Sequence, residues 1–256
     1  MAIRHLIERA LRDPKKIPLV FTTKGWAAVF GEMRANARRR RAEAELSRRK
    51  SEWSTAWKHS DAYSQRASYL SYDEYQAHQV SKLDEMIADQ TAVKSEADTV
   101  LFRRRLEGAG LVPPQSVLCL GARLGSEVEA FISLGHFAVG IDLNPGPKNS
   151  FVMTGDFHAL QFADASIDCV YTNSLDHAFD VPRIASEVRR VLKPAGTFLL
   201  EAVDGFEEGY LAGPRDCTHW RTARGFAEEI ARIGDFRIEQ HARPAPRWQQ
   251  FVMRKV

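Results

Sequence analysis

Between Gly25 and about Gly108 apolar residues recur at intervals of three and four, as at Val80, Leu83 and Met86-Ile87, in a proline-free background rich in Ala, Arg, Glu, Lys, Gln and Ser. That spacing lines one face of a helix, and those residue types form helices readily. Before it, Ile17 to Thr22 reads as a short strand or an extended arm, because Pro14 and Pro18 stop a helix from running through. Residues 1–107 are therefore predicted to be a mostly helical N-terminal extension or cap. The cluster Gly108-Ala-Gly110-Leu-Val-Pro113-Pro114 is a breaker that separates it from the rest of the chain.

Beyond that cluster the period shortens, and β-rich runs alternate with helical stretches. Strands are predicted at 116–121 (SVLCLG), 137–142 (FAVGID), 150–156, 166–173 and 196–202, with helices at 126–134, 181–192 and 222–233. FRIEQHA and WQQFVMRK form two further strands, close enough in sequence to pair as an antiparallel hairpin at one edge. Such alternation gives an α/β fold with a mostly parallel sheet covered by helices on both faces, here over residues 108–256.

Composition narrows the class. With 256 residues, 44% hydrophobic and 27% charged, the chain has room for one catalytic domain plus an appendage. No apolar run approaches the roughly 20 residues that span a bilayer, and the N-terminus lacks the features of a secretory signal; a cytoplasmic protein is expected. Cys119, Cys169 and Cys217 lack metal-ligand spacing, two of them lie in predicted strands, and the eight histidines form no HxxxH or HExxH pair, so buried thiols and no metal site are expected. The net charge of +3 hides an asymmetry: residues 1–60 carry 15 Lys and Arg against 6 Asp and Glu, the remainder 21 against 27.

A strand ending in Gly121, followed by a loop whose Gly125 opens a helix, lets backbone amides approach a ligand closely. Asp142, at the end of the next strand, can accept both hydroxyls of a ribose. These features alone also describe an NAD-binding domain. Further segments in order make the likeness specific: VLCLGARLG, AVGIDL, TGDFHALQ, FADASIDCVYTNSLDHAFD and VRRVLKPAGTFLLE. Residues 116–202 thereby resemble the class I, Rossmann-like, S-adenosylmethionine-dependent methyltransferases, of the type 11 kind. The resemblance implies a seven-stranded sheet, S-adenosyl-L-methionine as cofactor, and cofactor contacts from Gly121, Ala122 and Gly125, from Asp142 and Leu143, from Asp156 and Phe157, and from Asn173, with Ser174 beside it. The chain departs from the pattern twice. Cys119 stands where family members usually carry an acidic residue that helps hold the cofactor's ammonium end, and Arg123 where a central glycine is frequent. These departures leave three readings open: weaker cofactor binding, a substitute carboxylate such as Glu127, or a domain that has lost activity.

Methyl transfer from a sulfonium is a displacement that positioning accelerates, and an oxygen or nitrogen acceptor also needs a base. The resemblance puts acceptors near His177 and His219, the candidate catalytic residues, with Asp176 and Asp216 as neighbouring alternatives. A small-molecule or glycan-like acceptor is expected. The basic run Arg34 to Lys50 motivates a rival, an RNA methyltransferase guided by that helix, against the simpler reading of a solvated helix whose Glu43 and Glu45 pair with neighbouring arginines. The extension serves equally as a dimerisation arm. The aromatics between Trp53 and Tyr75 suit a lid or a docking face. A non-catalytic scaffold that keeps the fold is the remaining rival from another class.

Overall fold

The computed structural model describes residues 23–67, 69, 71–88, 96–146, 149–213 and 215–256; the expected strand or arm at Ile17 to Thr22 lies outside them. The chain divides into two compact units, Met1–Thr55 and Ala56–Val256. The boundary between these units falls at 55/56, so residues 56–107, which composition grouped with the N-terminal extension, lie in the second unit.

Of the first unit, helix α1 (Thr23–Thr55) is described. Between Arg34 and Arg48 it carries exposed charged residues, and Arg39 pairs with Glu43 and Arg48 with Glu45 across exposed turns, the intrahelical pairing expected of a solvated charged helix.

In the second unit two short strands come first, β1 (Trp57–His59) and β2 (Tyr63–Arg66), then α2 (Tyr72–Ala88) and α3 (Glu96–Glu107). The α/β part comprises β3 (Ser116–Leu120), α4 (Ser126–Ser133), β4 (Phe137–Asp142), β5 (Val152–Thr154), β6 (Ile167–Thr172), α5 (Val181–Val191) and β7 (Leu192–Val203). It ends with β8 (Thr218–Trp220), α6 (Ala223–Gly234), β9 (Phe236–Ala245) and β10 (Trp248–Lys255). Seven strands form one sheet in the order β5-β4-β3-β6-β7-β10-β9. The first five are parallel, and β10 inserts antiparallel between β7 and β9, as the hairpin pattern predicted. This is the expected Rossmann-like fold.

Alternation along β3 assigns the two faces. Leu118 and Leu120 point into one core with Val170, Phe198 and Leu200, covered by Ile184 and Val188 of α5 and Phe226 and Ile230 of α6. Val117 and Cys119 point the other way, with Cys169, Tyr171 and Leu199, under Leu106 of α3 and Val128 and Phe131 of α4. All three cysteines are buried free thiols. Helix α5 starts where Asp180 accepts the backbone N–H of Arg183 and Pro182 fits the first turn.

The sequence pattern did not reveal the second sheet, β1-β2-β8. It is stitched to the loop after β6: Gln65 Nε2 donates to Phe179 O at 2.7 Å, Thr218 Oγ1 to Ala178 O at 2.7 Å, and Cys217 N to Asp176 O at 2.7 Å. Those bonds bring Asp216 beside Asp176 and His177.

Candidate active site

The chain leaves β3 at Gly121, whose φ of +69° belongs to the left-handed region. A Cβ there would lie 2.8 Å from Ser174 Cβ, so only glycine allows the β3 and β6 loops to approach this closely. Ala122 N then bonds Ile141 O at 3.0 Å, and Gly125, at φ +84°, caps α4. Asp142, at the C-terminal end of β4, braces this loop. Its two oxygens accept Arg123 N and Asn144 N, each at 2.9 Å.

Two clefts open over the loop. The first, about 470 Å³, is lined by Tyr75, Gln79 and Lys82 of α2 and by Asp142, Leu143 and Phe157. The second, about 800 Å³, is lined by Ala122, Gly125, Ser126, Glu127, Asn173 and Asp176, with Asp98 and Phe102 of α3. Gly121, Arg123, Ser174 and His177 line both and form the seam between them. Among the described residues, the buried Tyr75 hydroxyl has no hydrogen-bond partner.

Of the residues expected from sequence, Gly121, Ala122, Gly125, Asp142, Leu143, Phe157, Asn173 and His177 therefore come together at the clefts. Two do not. His219 is fully buried on β8, where its Nε2 bonds Tyr210 O at 2.9 Å and its ring packs beside Trp220; it lines neither cleft, and strand pairing with β2 turns it inward. Asp156 also lies outside both linings. Its carboxylate accepts the Tyr72 hydroxyl, Gln76 Nε2 at 2.9 Å, and His158 N at 2.8 Å, and lies 2.9 Å from His158 Nδ1. It fastens α2 to the domain. Burial alone would raise this carboxyl, but the bonds from His158 and Tyr72 outweigh that and hold it down at about 2. A depressed carboxyl stabilises the fold above its unfolded value of roughly 4 and stops doing so as pH falls through the folded one. We predict that amide protection along α2, taken relative to the intrinsic exchange rate, falls as pH drops from about 4 towards 2, and that Asp156→Asn lowers it already at neutral pH; protection indifferent to both changes would show that α2 is held elsewhere.

The seam carries a titratable cluster. Lys82, nearly buried, donates to His177 Nε2. His177 Nδ1 lies 3.2 Å from Arg215 O; a carbonyl only accepts, so the proton sits on Nδ1 and Nε2 offers its lone pair to Lys82. Burial, then Lys82, drives the imidazole down to about 3, so it is neutral. Burial and the neighbouring Arg123 lower Lys82 to about 8. Burial raises Asp176 to about 6 against the pull of Lys82, and it also raises Asp216, with Asp176 adding to the effect. Ligand atoms of Asp176, His177 and Asp216 lie within 4.8 Å of one another, and the Lys82 ammonium and the Arg123 guanidinium both act on Asp176 and His177.

A family model described as a methyltransferase domain matches residues 118–200, the stretch from β3 into β7 that builds the seam. Those residues are a class I, S-adenosylmethionine-dependent methyltransferase domain. The chain is 29% identical over 138 residues to malonyl-[acyl-carrier protein] O-methyltransferase 1 of Coxiella burnetii, covering 45% of this chain and 48% of that one. It is 31% identical over 106 residues to a sterol 24-C-methyltransferase of Gibberella zeae, covering 35% and 28%. The chain thus spans half or less of these relatives. Its fold resembles that of a Burkholderia thailandensis 1,6-didemethyltoxoflavin-N1-methyltransferase, solved with its substrate and S-adenosylhomocysteine, with a TM-score of 0.61 at 18% identity over 79% of this chain and 100% of that one.

The methyltransferase domain's own residues fit such a cofactor. Asp142 spends one lone pair of each oxygen on the loop and keeps capacity for two more donors. Cys119 faces the core under α3 and α4, away from both clefts. Glu127, whose charge acts on Cys119, does line the second cleft, and burial raises its carboxyl to about 8. A buried acid in that state is satisfied by an incoming cation. The cap residues Tyr75, Gln79 and Lys82 were not foreseen individually, although positions 75, 79 and 82 fall on one helical stripe.

Among the described residues no helix is long and apolar enough to cross a membrane.

Proposed function

We propose that this chain transfers a methyl group from S-adenosyl-L-methionine to a small-molecule acceptor. The observation that carries the reading is the pair of clefts meeting at Gly121, Ser174 and His177, one holding Asp142 and the other Glu127. Bound there, the cofactor supplies an electrophilic methyl group on a sulfonium. Asp142 accepts the ribose hydroxyls, with Leu143 and Phe157 flanking the adenosine half; Glu127 and Asn173 hold the amino-acid half, beside the amides of Ala122 and Gly125. Glu127 thereby takes the place of the acidic side chain that Cys119 replaces. The cap helix α2 shields this end of the site from water, and orientation inside it supplies most of the acceleration. The carboxylate of Asp176, raised by burial, is the group at the seam able to take a proton from an acceptor, while neutral His177, its lone pair held by Lys82, positions that amine.

A small-molecule acceptor agrees with two of these proteins, whose names give a sterol and 1,6-didemethyltoxoflavin, while the third names malonyl-[acyl-carrier protein]. Arg39 and Arg48 of α1, exposed and paired with Glu43 and Glu45, give no particular support to RNA.

Isothermal titration of the full chain with S-adenosylmethionine, S-adenosylhomocysteine and NADH tests the reading. Micromolar affinity for the first two and none for NADH is expected. No binding of either by folded protein would overturn it and favour a scaffold that merely keeps the fold.

A further inference from the structure

The two clefts share Gly121, Arg123, Ser174 and His177 in their linings, and the cofactor proposed above has two halves joined by its sulfur. With the adenosine half against Asp142 and the amino-acid half against Glu127, the sulfur crosses at Gly121, Ser174 and His177. That crossing is where the cap helix delivers Lys82, nearly buried and donating to His177 Nε2, inside the cleft that Asp142 lines.

We propose that Lys82 senses the charge on the cofactor's sulfur, binding the neutral thioether product more tightly than the cationic sulfonium. The inference rests on the cofactor reading above. An ammonium held beside a sulfonium is a like-charge contact; after methyl transfer the sulfur is neutral and the contact becomes harmless. Lys82 has little room to retreat, because α2 is fastened by Tyr72 and Gln76 to Asp156 and by Gln79 Nε2 to Cys217 Sγ at 3.2 Å. The groups facing Lys82 are Tyr75 on its own helix, Arg123 of the glycine loop, Asp142 of β4, Asp176 and His177 after β6, and Asp216 and Cys217 before β8. Asp176 and Asp216 keep the ammonium charged, while Arg123 and burial oppose them, leaving it poised to lose its proton just above neutrality. The discrimination is therefore strong below about pH 8 and fades above it.

The test is titration calorimetry of the full chain with S-adenosylmethionine and S-adenosylhomocysteine between pH 6.5 and 9, comparing wild type, Lys82→Met and Lys82→Arg, each checked for folding by circular dichroism. Wild type should prefer S-adenosylhomocysteine by about tenfold at pH 7, the effect of one like charge at close range, with the preference shrinking as pH rises. Lys82→Met should lose most of it, and Lys82→Arg should keep it across the range. The ligands' own amino groups titrate over the same interval, and the Lys82→Met curve subtracts that contribution. A ratio in Lys82→Met equal to wild type at every pH would overturn the proposal while leaving the cofactor site standing. Failure of folded wild type to bind either ligand would remove the site itself and the proposal with it.

Discussion

Replacing Arg105 with alanine is expected to cost about 3–5 kcal/mol of unfolding free energy, the effect of stranding one member of a buried ion pair. Glu201 is fully buried on β7, and Arg105 reaches it from α3 with only 12% of its side chain exposed. The guanidinium also lies over the Trp248 ring, 4.3 Å from its centre. Tyr171 Oη donates to Glu201 at 2.8 Å and Gln250 Nε2 at 2.9 Å, so the carboxylate joins α3 to three neighbouring strands. Among the described residues Arg105 is the ion-pair partner of Glu201, and without it the carboxylate loses that counter-ion. For a unit of this size the denaturation midpoint should fall by roughly 10 °C, measurable by thermal or urea unfolding of the full chain. Adding Glu201→Gln to Arg105→Met should recover most of the loss, since the amide still accepts from Tyr171 without leaving a charge behind. If the single and double variants melt together, the network is not an interior charge pair in solution.

Removing the Asp142 carboxylate is the second large effect. Asp142→Ala deletes the proposed acceptor of two ribose hydroxyls, each worth about 1.5–3 kcal/mol when bonded to a charged group; cofactor affinity should fall at least a hundredfold. Asp142→Asn retains one acceptor oxygen and should lose roughly tenfold. The alanine variant also uncaps Arg123 N and Asn144 N, so a modest drop in melting temperature should accompany it. Calorimetry with S-adenosylhomocysteine separates the two effects. Undiminished binding by a folded Asp142→Ala would mean that the ribose lies elsewhere.

Much of the α/β part was legible because its signals are local. The run FAVGID predicted β4 at its observed limits, WQQFVMRK did the same for β10, and the change of period at Gly108 marked the start of the large sheet. The placement of Gly121, Gly125 and Asp142 at the clefts was legible for the same reason: a glycine loop and a carboxylate at a strand end are features of adjacent residues. What the sequence concealed was assembled over distance. WKH, YSQR and THW are too short to show alternation, and they become strands only because β2 finds β8 some 150 positions away. The break between the compact units lies at 55/56 for the same reason, since this pairing ties Tyr63, Ser64 and Gln65 to strand β8 of the second unit. Lys82 joined the site for a similar reason. Its neighbours mark a helix, and only the packing of that helix over the β3 and β6 loops places the amine against His177. Asp156 and His219 show the converse: both sit in the expected segments, yet local partners turn the carboxylate towards α2 and the imidazole towards Tyr210.

The outer margins of the large sheet have a consequence for behaviour at high concentration. An unpaired margin is a template for strand addition between molecules. At one margin β5 offers only three residues. At the other, β9 carries Arg237, Glu239, Arg243 and Pro244 along a largely exposed strand, with Arg237 and Arg254 both paired to Glu239. Charges and a proline make that margin a poor partner for another chain's backbone. Insertion of β10 at the interior position leaves its apolar run, Phe251 to Met253, buried between two neighbours. The segment best suited to intermolecular β-stacking is thus kept out of reach for as long as the sheet stays intact.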